Sequence, residues 1–356
     1  MTAVVAPPDP SSVDPATVDA VTRSRVRRAA RRRLVIAVLT VLVVVSFAAS
    51  LMIGRTFYPP GDVIRVVLGE DVQGASFTVG RLRLPRAVLA VVAGLSFGLA
   101  GVTFQTMLRN ALASPDVIGI TSGAGAAAAF AIVVLGWSGT AVSVTAILAA
   151  LGVALLMYAL AFTDGVVGTR LILIGIGIAA MARSITSYVL SEAGAWDFAE
   201  ALRWLTGSLN GSTWEATVPA LVALVVLAPV LLALTRQLGA LQLGDDTASA
   251  LGIRVDRTRV VAIVAAVGLL AFATAACGPI AFVSFLAGPI AARIVGPNGS
   301  LLIPAALVGA LLVLVADLVG QFALGTRFPV GVVTGVLGAP YLIYLIVRTN
   351  RAGGSL

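Results

Sequence analysis

The sequence is dominated by apolar stretches that are each close to the length needed to cross a lipid bilayer. We place about ten of them, at approximately 34–54, 86–108, 115–135, 140–162, 170–191, 215–234, 257–275, 279–295, 302–322 and 330–347. About 20 apolar residues cross the hydrocarbon core as a helix. Strands of a membrane barrel would alternate apolar and polar residues, which these stretches do not. The predicted fold class is therefore an all-α polytopic membrane protein.

Composition agrees with this class and excludes several kinds of chemistry. The chain is 59% hydrophobic and 11% charged, whereas a soluble domain is about 25% charged. All 24 basic residues are arginine, and histidine is absent. A phosphate-binding loop that needs lysine and a histidine-based metal site or general base are therefore excluded. The single cysteine, Cys277, is expected to pack in the interior. We expect no catalytic site, no metal site and no enzyme activity.

The N-terminal segment sets the expected orientation. Residues 1–33 are rich in Pro, Ser and Asp and then in arginine, and we interpret them as a disordered tail ahead of a transmembrane domain at 34–350. The positive-inside tendency places this arginine-rich tail in the cytoplasm. An even number of spans returns the C-terminus to the same side. We therefore expect a multi-pass protein of the cell (cytoplasmic) membrane with both termini cytoplasmic.

A short polar segment, LGDDTASALGIRV at 243–255, interrupts the spans. Asp245 and Asp246 suit a helix N-terminus, where carboxylates meet free N–H groups and the positive end of the dipole. Gly252 suits the C-terminal stop. A helix this short cannot span the membrane. Spacing alone leaves two interpretations open, a surface for another protein or a solvated loop with a chance cap.

Several charges lie where the membrane makes them costly or unexpected. Arg81, Arg83 and Arg86 precede the second span on the outer side, either snorkelling at the interface or forming a basic pad for an acidic partner. Arg183 lies within a span and should face protein or a water-filled path. Asp317 is the other obvious intramembrane charge, and it could pair internally or mark a proton path. The outer segment 191–214 should form a short amphipathic helix near 199–206.

Four stretches together resemble one family, the permeases that import ferric siderophores, haem and vitamin B12. They are RLRLPRAVLAVVAGLSFGLAGVTFQTMLRNALASPDVIGITSGA, the LGDDTASALGIRV segment, CGPIAFVSFLAGPIAARIVGP and VADLVGQFALGTRFPVGVVTGVLGAPYLIYLI. The resemblance covers roughly residues 35–350 and implies the type II ABC importer permease architecture. Departures include Ala111 for a common Pro, Gly288-Pro289 for Pro-His, and Gln321 for a common arginine. The changed Pro-His pair is most like the second permease subunit of a ferric-siderophore system.

The resemblance also assigns roles to particular positions. The segment that engages the ATPase matches Gly244, Asp245, Asp246, Ala248, Leu251 and Gly252. Docking of a substrate-binding protein matches Arg83 and Arg86, and Arg327 is expected to compensate there for Gln321. The cytoplasmic gate matches Asn110 and Leu112, with a second gate segment at Val167 and Gly168. Arg183 is expected either to contact the translocation pathway or to pair with a buried carboxylate.

The function that the resemblance implies is import of a ferric siderophore by a permease subunit. Its expected partners are a homologous permease (a heterodimer rather than a homodimer), two ATPase subunits, an extracytoplasmic substrate-binding protein and membrane lipid, with no nucleic acid. No cofactor is expected on this chain, because ATP and Mg belong to the ATPases. The alternatives are import of vitamin B12 or haem and, from another class, a proton-coupled secondary transporter using Asp317. That class is marked by inverted repeats, and the sequence shows no convincing one.

Overall fold

The computed structural model describes residues 15–116, 118–161, 168–296 and 299–351, and every regular element in these ranges is a helix. A π-helical segment, Ser76–Arg83, leads directly into α3. The α-helices in chain order are α1 Pro15–Met52, α2 Pro60–Val67, α3 Leu84–Met107, α4 Ile120–Val133, α5 Thr140–Ala161, α6 Gly168–Ser191, α7 Ala195–Thr206, α8 Trp214–Ala233, α9 Thr235–Leu241, α10 Asp245–Ala250, α11 Val255–Cys277, α12 Val283–Val295, α13 Leu302–Phe322 and α14 Val330–Arg351.

The ten expected spans correspond to ten of these helices. Seven are long and apolar enough to cross a membrane, namely α1, α3 with its π-helical start, α5, α6, α8, α11 and α13. The other three, α4, α12 and the apolar part of α14, are shorter. In α4 the reason is local, because the described residues of 108–116 and 118–119 form turns and loop, and the helix begins only at Ile120. The all-α polytopic architecture is therefore confirmed.

The centre of the bundle is the crossing of α3 with α13, which run antiparallel. A Cβ on Gly94 would lie 2.5 Å from the Cα of Ala310, and one on Gly98 would lie 2.3 Å from the carbonyl oxygen of Ala305. Backbones approach this closely only where side chains are absent, which is how glycine supports helix packing in lipid. The bundle has two opposite ends along the direction of these helices. We call the end with the arginine-rich start of α1 the inner end, and the other the outer end.

The start of α1 corrects the expectation that residues 1–33 are disordered. The helix begins at Pro15 and continues through the arginine-rich segment into the first span. Arginine and alanine are both good helix formers, and they dominate this stretch. Two of its arginines contact the end of α12 and the connection that follows it: Arg31 donates to the carbonyl of Ile294 and Arg32 to that of Ser300. Residues 1–14 lie outside the described residues.

A small cap at the outer end was not predicted. Between α1 and α3 the chain forms α2 and the π-helical segment. The buried side chains of Leu51, Val63 and Val79 form a second apolar cluster there. The signals were present in the sequence, since Pro60 occupies the first turn of α2 and Gly69 has a positive φ of 92° just after it. An eight-residue amphipathic helix does not meet the length of about 20 residues by which membrane spans are recognised in a sequence.

Candidate functional site: an inner coupling surface and an outer vestibule

The predicted polar segment at the inner end forms the short helix α10. Both expected acids lie in its first turn, and Gly252 follows it with a φ of 82°, as a C-terminal stop requires. Asp245 is held by the bundle: Arg259, itself buried, donates to both carboxylate oxygens at 2.8 and 2.9 Å. The helix is therefore attached to the first turns of α11 through a charged, two-point contact.

The exposed surface of this segment differs from the one we expected. Ala248 is completely buried, so it packs the helix against the bundle and cannot present a surface to a partner. Leu251 is 63% exposed and Leu243 is 65% exposed, and the side chain of Asp246 is also exposed. Exposed leucines beside an acidic residue are suited to the apolar centre and polar rim of a protein interface.

Arg109 connects α10 to the loop after α3. Its Nη2 lies 3.8 Å from Asp245 Oδ1, and its backbone has a positive φ of 50°, which is uncommon outside glycine. The next residue, Asn110, accepts a hydrogen bond from the N–H of Leu112 at 2.9 Å. The predicted gate residues Asn110 and Leu112 therefore lie within three positions of Arg109, which contacts α10. A displacement of α10 would reach this loop through one ion pair.

The same loop is fastened to the start of α12 by buried hydroxyl groups. Ser284 donates to Asp116 and lies 3.0 Å from the hydroxyl of Ser114. Thr121 donates to the other carboxylate oxygen of Asp116 at 2.7 Å, and Gln105 donates to the carbonyl of Phe285 at 2.9 Å. Sequence reasoning missed this network, because its contacts with α12 join residues 168 to 180 positions apart.

The remaining predicted pathway residues are placed separately. Val167 lies outside the described residues, and Gly168 begins α6. Arg183 is exposed on the surface of α6. Among the described residues it forms no ion pair with a carboxylate. Asp317 pairs with Arg86 instead, and the contact of Arg183 with the pathway stays a prediction.

At the outer end, Arg83 stabilises the cap. Its Nη1 donates to the carbonyls of Leu51 and Met52 at 2.8 and 3.0 Å, and its Nη2 donates to that of Thr56 at 2.8 Å. The guanidinium also lies 5.0 Å from the ring centroid of Tyr58. The carbonyls of Leu51 and Met52 belong to the end of α1, where free acceptors favour a cation. Arg83 is thus held by the cap rather than projecting freely from it.

Arg86 forms the most buried ion pair among the described residues. Its Nη2 lies 2.7 Å from Asp317 Oδ1 and its Nε 2.9 Å from Oδ2, while Asp317 is only 4% exposed. Gln321 donates to the same carboxylate at 2.8 Å. The Nη1 of Arg86 donates to Asn210 Oδ1 at 2.7 Å. Asp317 therefore pairs internally, one of the two alternatives left open by the sequence.

These groups surround an open vestibule of about 540 Å³. Its walls carry Arg55, Arg83, Arg86 and Arg327, with Asp317 as the acidic residue among the lining side chains. Arg55 and Arg327 are exposed. A concave surface with this excess of positive charge attracts acidic groups and focuses their approach. Arg55 was missed by sequence reasoning because it is separated from Arg81, Arg83 and Arg86 by the whole cap.

The segment beside the vestibule is α7 with the loop that follows it. The helix spans Ala195–Thr206, longer than the predicted 199–206. Gly207 then has a φ of 73°, and a Cβ there would lie 2.2 Å from the carbonyl oxygen of Pro279. The N–H of Gly331 donates to the carbonyl of Gly207 at 3.1 Å. The outer ends of α7, α11 and α14 therefore meet at one closely packed glycine junction.

Cys277 is buried at the end of α11. Among the described residues, no group of three His, Cys, Asp or Glu side chains could hold a metal ion. The outer end offers an arginine-rich vestibule, and the inner end offers a short, partly exposed helix. The packed helices of the bundle connect the two surfaces.

Comparison with known proteins places this architecture in a family. The FecCD transport family profile matches residues 42–348. FepG of Escherichia coli (strain K12), a ferric enterobactin transport system permease protein, is 38% identical over 86% of this chain and 94% of its own. FepD, named as a permease protein of the same system, is 32% identical over 88% and 95%. A solved structure described as an inward-facing conformation of a metal-chelate type ABC transporter matches with a TM-score of 0.79 and 28% identity, covering 89% of this chain and 99% of that one. The chain is a transport permease that belongs to the FecCD transport family.

Proposed function

We propose that this chain is the transmembrane permease subunit of an ATP-binding cassette importer that moves a ferric siderophore into the cytoplasm. The observation that carries the proposal is the arrangement at the inner end. An exposed short helix, α10, is joined through Asp245 and Arg109 to the loop that bears the gate residues. The similarity to FepG and FepD, two ferric enterobactin transport system permease proteins, supports the substrate class.

The inner end is proposed to lie in the cytoplasm, with both chain termini there. The arginine-rich start of α1 supports this, because cytoplasmic segments carry an excess of arginine and lysine. An ATPase subunit would receive Leu243, Leu251 and Asp246 on its surface. When two ATPases close on ATP, α10 moves, and Arg109 transmits the movement to Asn110 and Leu112. ATP and Mg are used by the ATPases, and this chain binds no cofactor.

A homologous permease is the proposed partner within the membrane. Both permease proteins named for one ferric enterobactin system are similar to this chain, which favours a heterodimer. Wide apolar surfaces remain open on α6 and α14, where Leu173, Met181, Val336 and Ile343 are 60% or more exposed. The translocation path would run between the two permeases, with Arg183 on α6 facing it. No contact with nucleic acid is proposed.

The vestibule is the proposed docking surface for an extracytoplasmic substrate-binding protein. Arg55 and Arg327 are exposed, so they can meet acidic side chains directly. Arg83 and Arg86 already hold partners within this chain. We therefore assign them a positioning role, keeping the cap and the vestibule wall in place while Arg55 and Arg327 make the contacts.

Two alternative functions can be compared with this proposal. A vitamin B12 or haem importer would share the fold, and only the substrate would differ. A proton-coupled secondary transporter would need Asp317 to be available for protons. Its carboxylate is instead occupied by hydrogen bonds from Arg86 and Gln321.

Assembly can be tested directly by co-expressing the tagged chain with a homologous permease, an ATPase and a binding protein. We expect a complex of two permeases and two ATPases, whose ATP hydrolysis rises when the loaded binding protein is added. Recovery of the chain alone, with no ATPase retained under mild detergent, would contradict the proposal.

A further inference from the structure

Two neighbouring grooves share α1 and remain outside the transport machinery described above; the first lies at the inner end, and the second continues from α1 toward the outer end. The first, about 590 Å³, is lined by Arg25, Arg28, Arg32, Arg33, Ile36 and Gly299. The second, about 280 Å³, runs between α1, α12, α13 and α14 and is lined almost entirely by aliphatic side chains, among them Leu39, Ile294 and Leu311. Ile36 of the first and Leu39 of the second are one helical turn apart on α1, on the same face.

From this juxtaposition we propose that the α1–α12–α13 face binds an anionic phospholipid, with its phosphate in the arginine groove and an acyl chain in the aliphatic groove. The assignment of this lipid to the cytoplasmic leaflet rests on the proposed function, because that function places the inner end in the cytoplasm. Binding itself depends only on the two grooves.

Charge supports the headgroup position. Among the described residues, Arg25, Arg32 and Arg33 form no ion pair with a carboxylate. Arg32 is also oriented, because its Nη2 donates to the carbonyl of Ser300 at 2.8 Å. Several guanidinium groups on one side of a helix, immediately before a span, match the phosphate level of a bilayer and bind anionic lipid. Guanidinium forks suit phosphate oxygens in particular.

Dimensions support the acyl position. On α13 the groove extends from Val308 to Val319, which is about 17 Å along the helix axis. Its inner part, near Val308, lies about 12 Å along the axis from Ser300, which is within the half of the roughly 30 Å hydrocarbon core that the acyl chains of one leaflet fill. Ile294 contributes to both features, since it lines the aliphatic groove and its carbonyl accepts from Arg31. The arginine-rich helix is thus held beside the inner end of an acyl-sized groove.

The site can be tested by titrating the purified chain in nanodiscs with phosphatidylglycerol against phosphatidylcholine, and by counting the phosphatidylglycerol retained after purification. Arg25→Gln with Arg33→Gln removes two groove arginines, and we expect about thirtyfold weaker binding of phosphatidylglycerol, since each juxtamembrane arginine contributes about fivefold. The matched pair Arg23→Gln with Arg27→Gln removes the same charge from the same helix but lies outside the groove. It should lower the affinity clearly less than the groove pair does, because only the general surface attraction is lost.

The aliphatic groove has its own control. Leu311→Trp fills it and should also lower phosphatidylglycerol retention, whereas Ile303→Trp, on an exposed part of the same helix, should not. Glycerophosphoglycerol, which has the headgroup but no acyl chains, should bind far more weakly than the lipid. Equal losses in both arginine pairs would show diffuse surface attraction and overturn the site. Phosphatidylglycerol retention that is unaffected by Leu311→Trp would also overturn the site. The same holds if the groove binds lipid in the single chain but is covered in the assembled permease dimer. None of these readouts requires transport, so failure here leaves the proposed function standing.

Discussion

Arg86 and Asp317 are 231 residues apart in the sequence and meet side by side at the outer end, with Nη2 2.7 Å from Oδ1 and Nε 2.9 Å from Oδ2. The pair joins the first turn of α3 to the last turns of α13, the two helices that cross at the centre of the bundle. Asn210 extends the contact to the loop before α8. One arginine therefore holds together three segments that surround the vestibule.

Breaking this pair should destabilise the protein. Asp317→Asn leaves Arg86 without its carboxylate at a buried position, and such losses typically cost about 3–5 kcal/mol. Denaturant or thermal unfolding in nanodiscs measures the change. The double variant Asp317→Asn with Arg86→Gln should recover part of the loss, because no unpaired charge remains. Unchanged stability combined with loss of pH-driven uptake would instead identify Asp317 as part of a proton path.

Docking of the binding protein should depend on the exposed arginines of the vestibule. Arg55→Glu with Arg327→Glu should weaken association by at least tenfold while leaving the melting temperature unchanged, because neither side chain is buried. Added salt should weaken the wild-type association in the same direction. Arg81→Glu is the matched control, since Arg81 is exposed near the same end but does not line the vestibule. Equal effects from Arg81→Glu would contradict a localised docking surface.

The fold followed from the sequence more completely than the sites did. Span positions could be predicted because the length of an apolar run must match the bilayer, and a local count of residues measures it. The helix at 245–250 could be predicted because capping depends on residues a few positions apart. The Arg86–Asp317 pair and the Ser284–Asp116 contact could not, since each joins segments far apart in the chain. Burial of Ala248 was also beyond local reasoning, because it depends on what α10 packs against.

Engagement of the ATPase should depend on the exposed leucine of the inner segment. Leu251→Glu places a charge on a side chain that is 63% exposed, so folding should be unaffected while ATPase co-purification falls. Leu68→Glu, on a leucine at the outer end that is 75% exposed, should retain the ATPase. Ala248→Trp should lower the melting temperature, because its site has no space. A stable Leu251→Glu variant that still retains the ATPase would place the interface elsewhere.

Coupling should depend on Arg109. Arg109→Gln removes the charged contact between Asp245 and the loop that carries Asn110 and Leu112, while the Arg259 contact keeps α10 in place. We expect the ATPase to bind and hydrolyse ATP, but with several-fold less substrate moved per ATP. Arg254→Gln removes an exposed arginine from the same end and should leave that ratio unchanged. If both variants transport with the wild-type ratio, motion reaches the gate by another route.

The most direct test of the account is uptake of a radiolabelled ferric siderophore by sealed vesicles that contain this chain with its homologous permease and ATPases, with the binding protein outside. The account predicts uptake that requires ATP inside the vesicle, persists when a protonophore collapses the proton gradient, and disappears when the ATPase cannot hydrolyse ATP. Uptake by this chain without any ATPase, driven by a proton gradient and abolished by the protonophore, would contradict it.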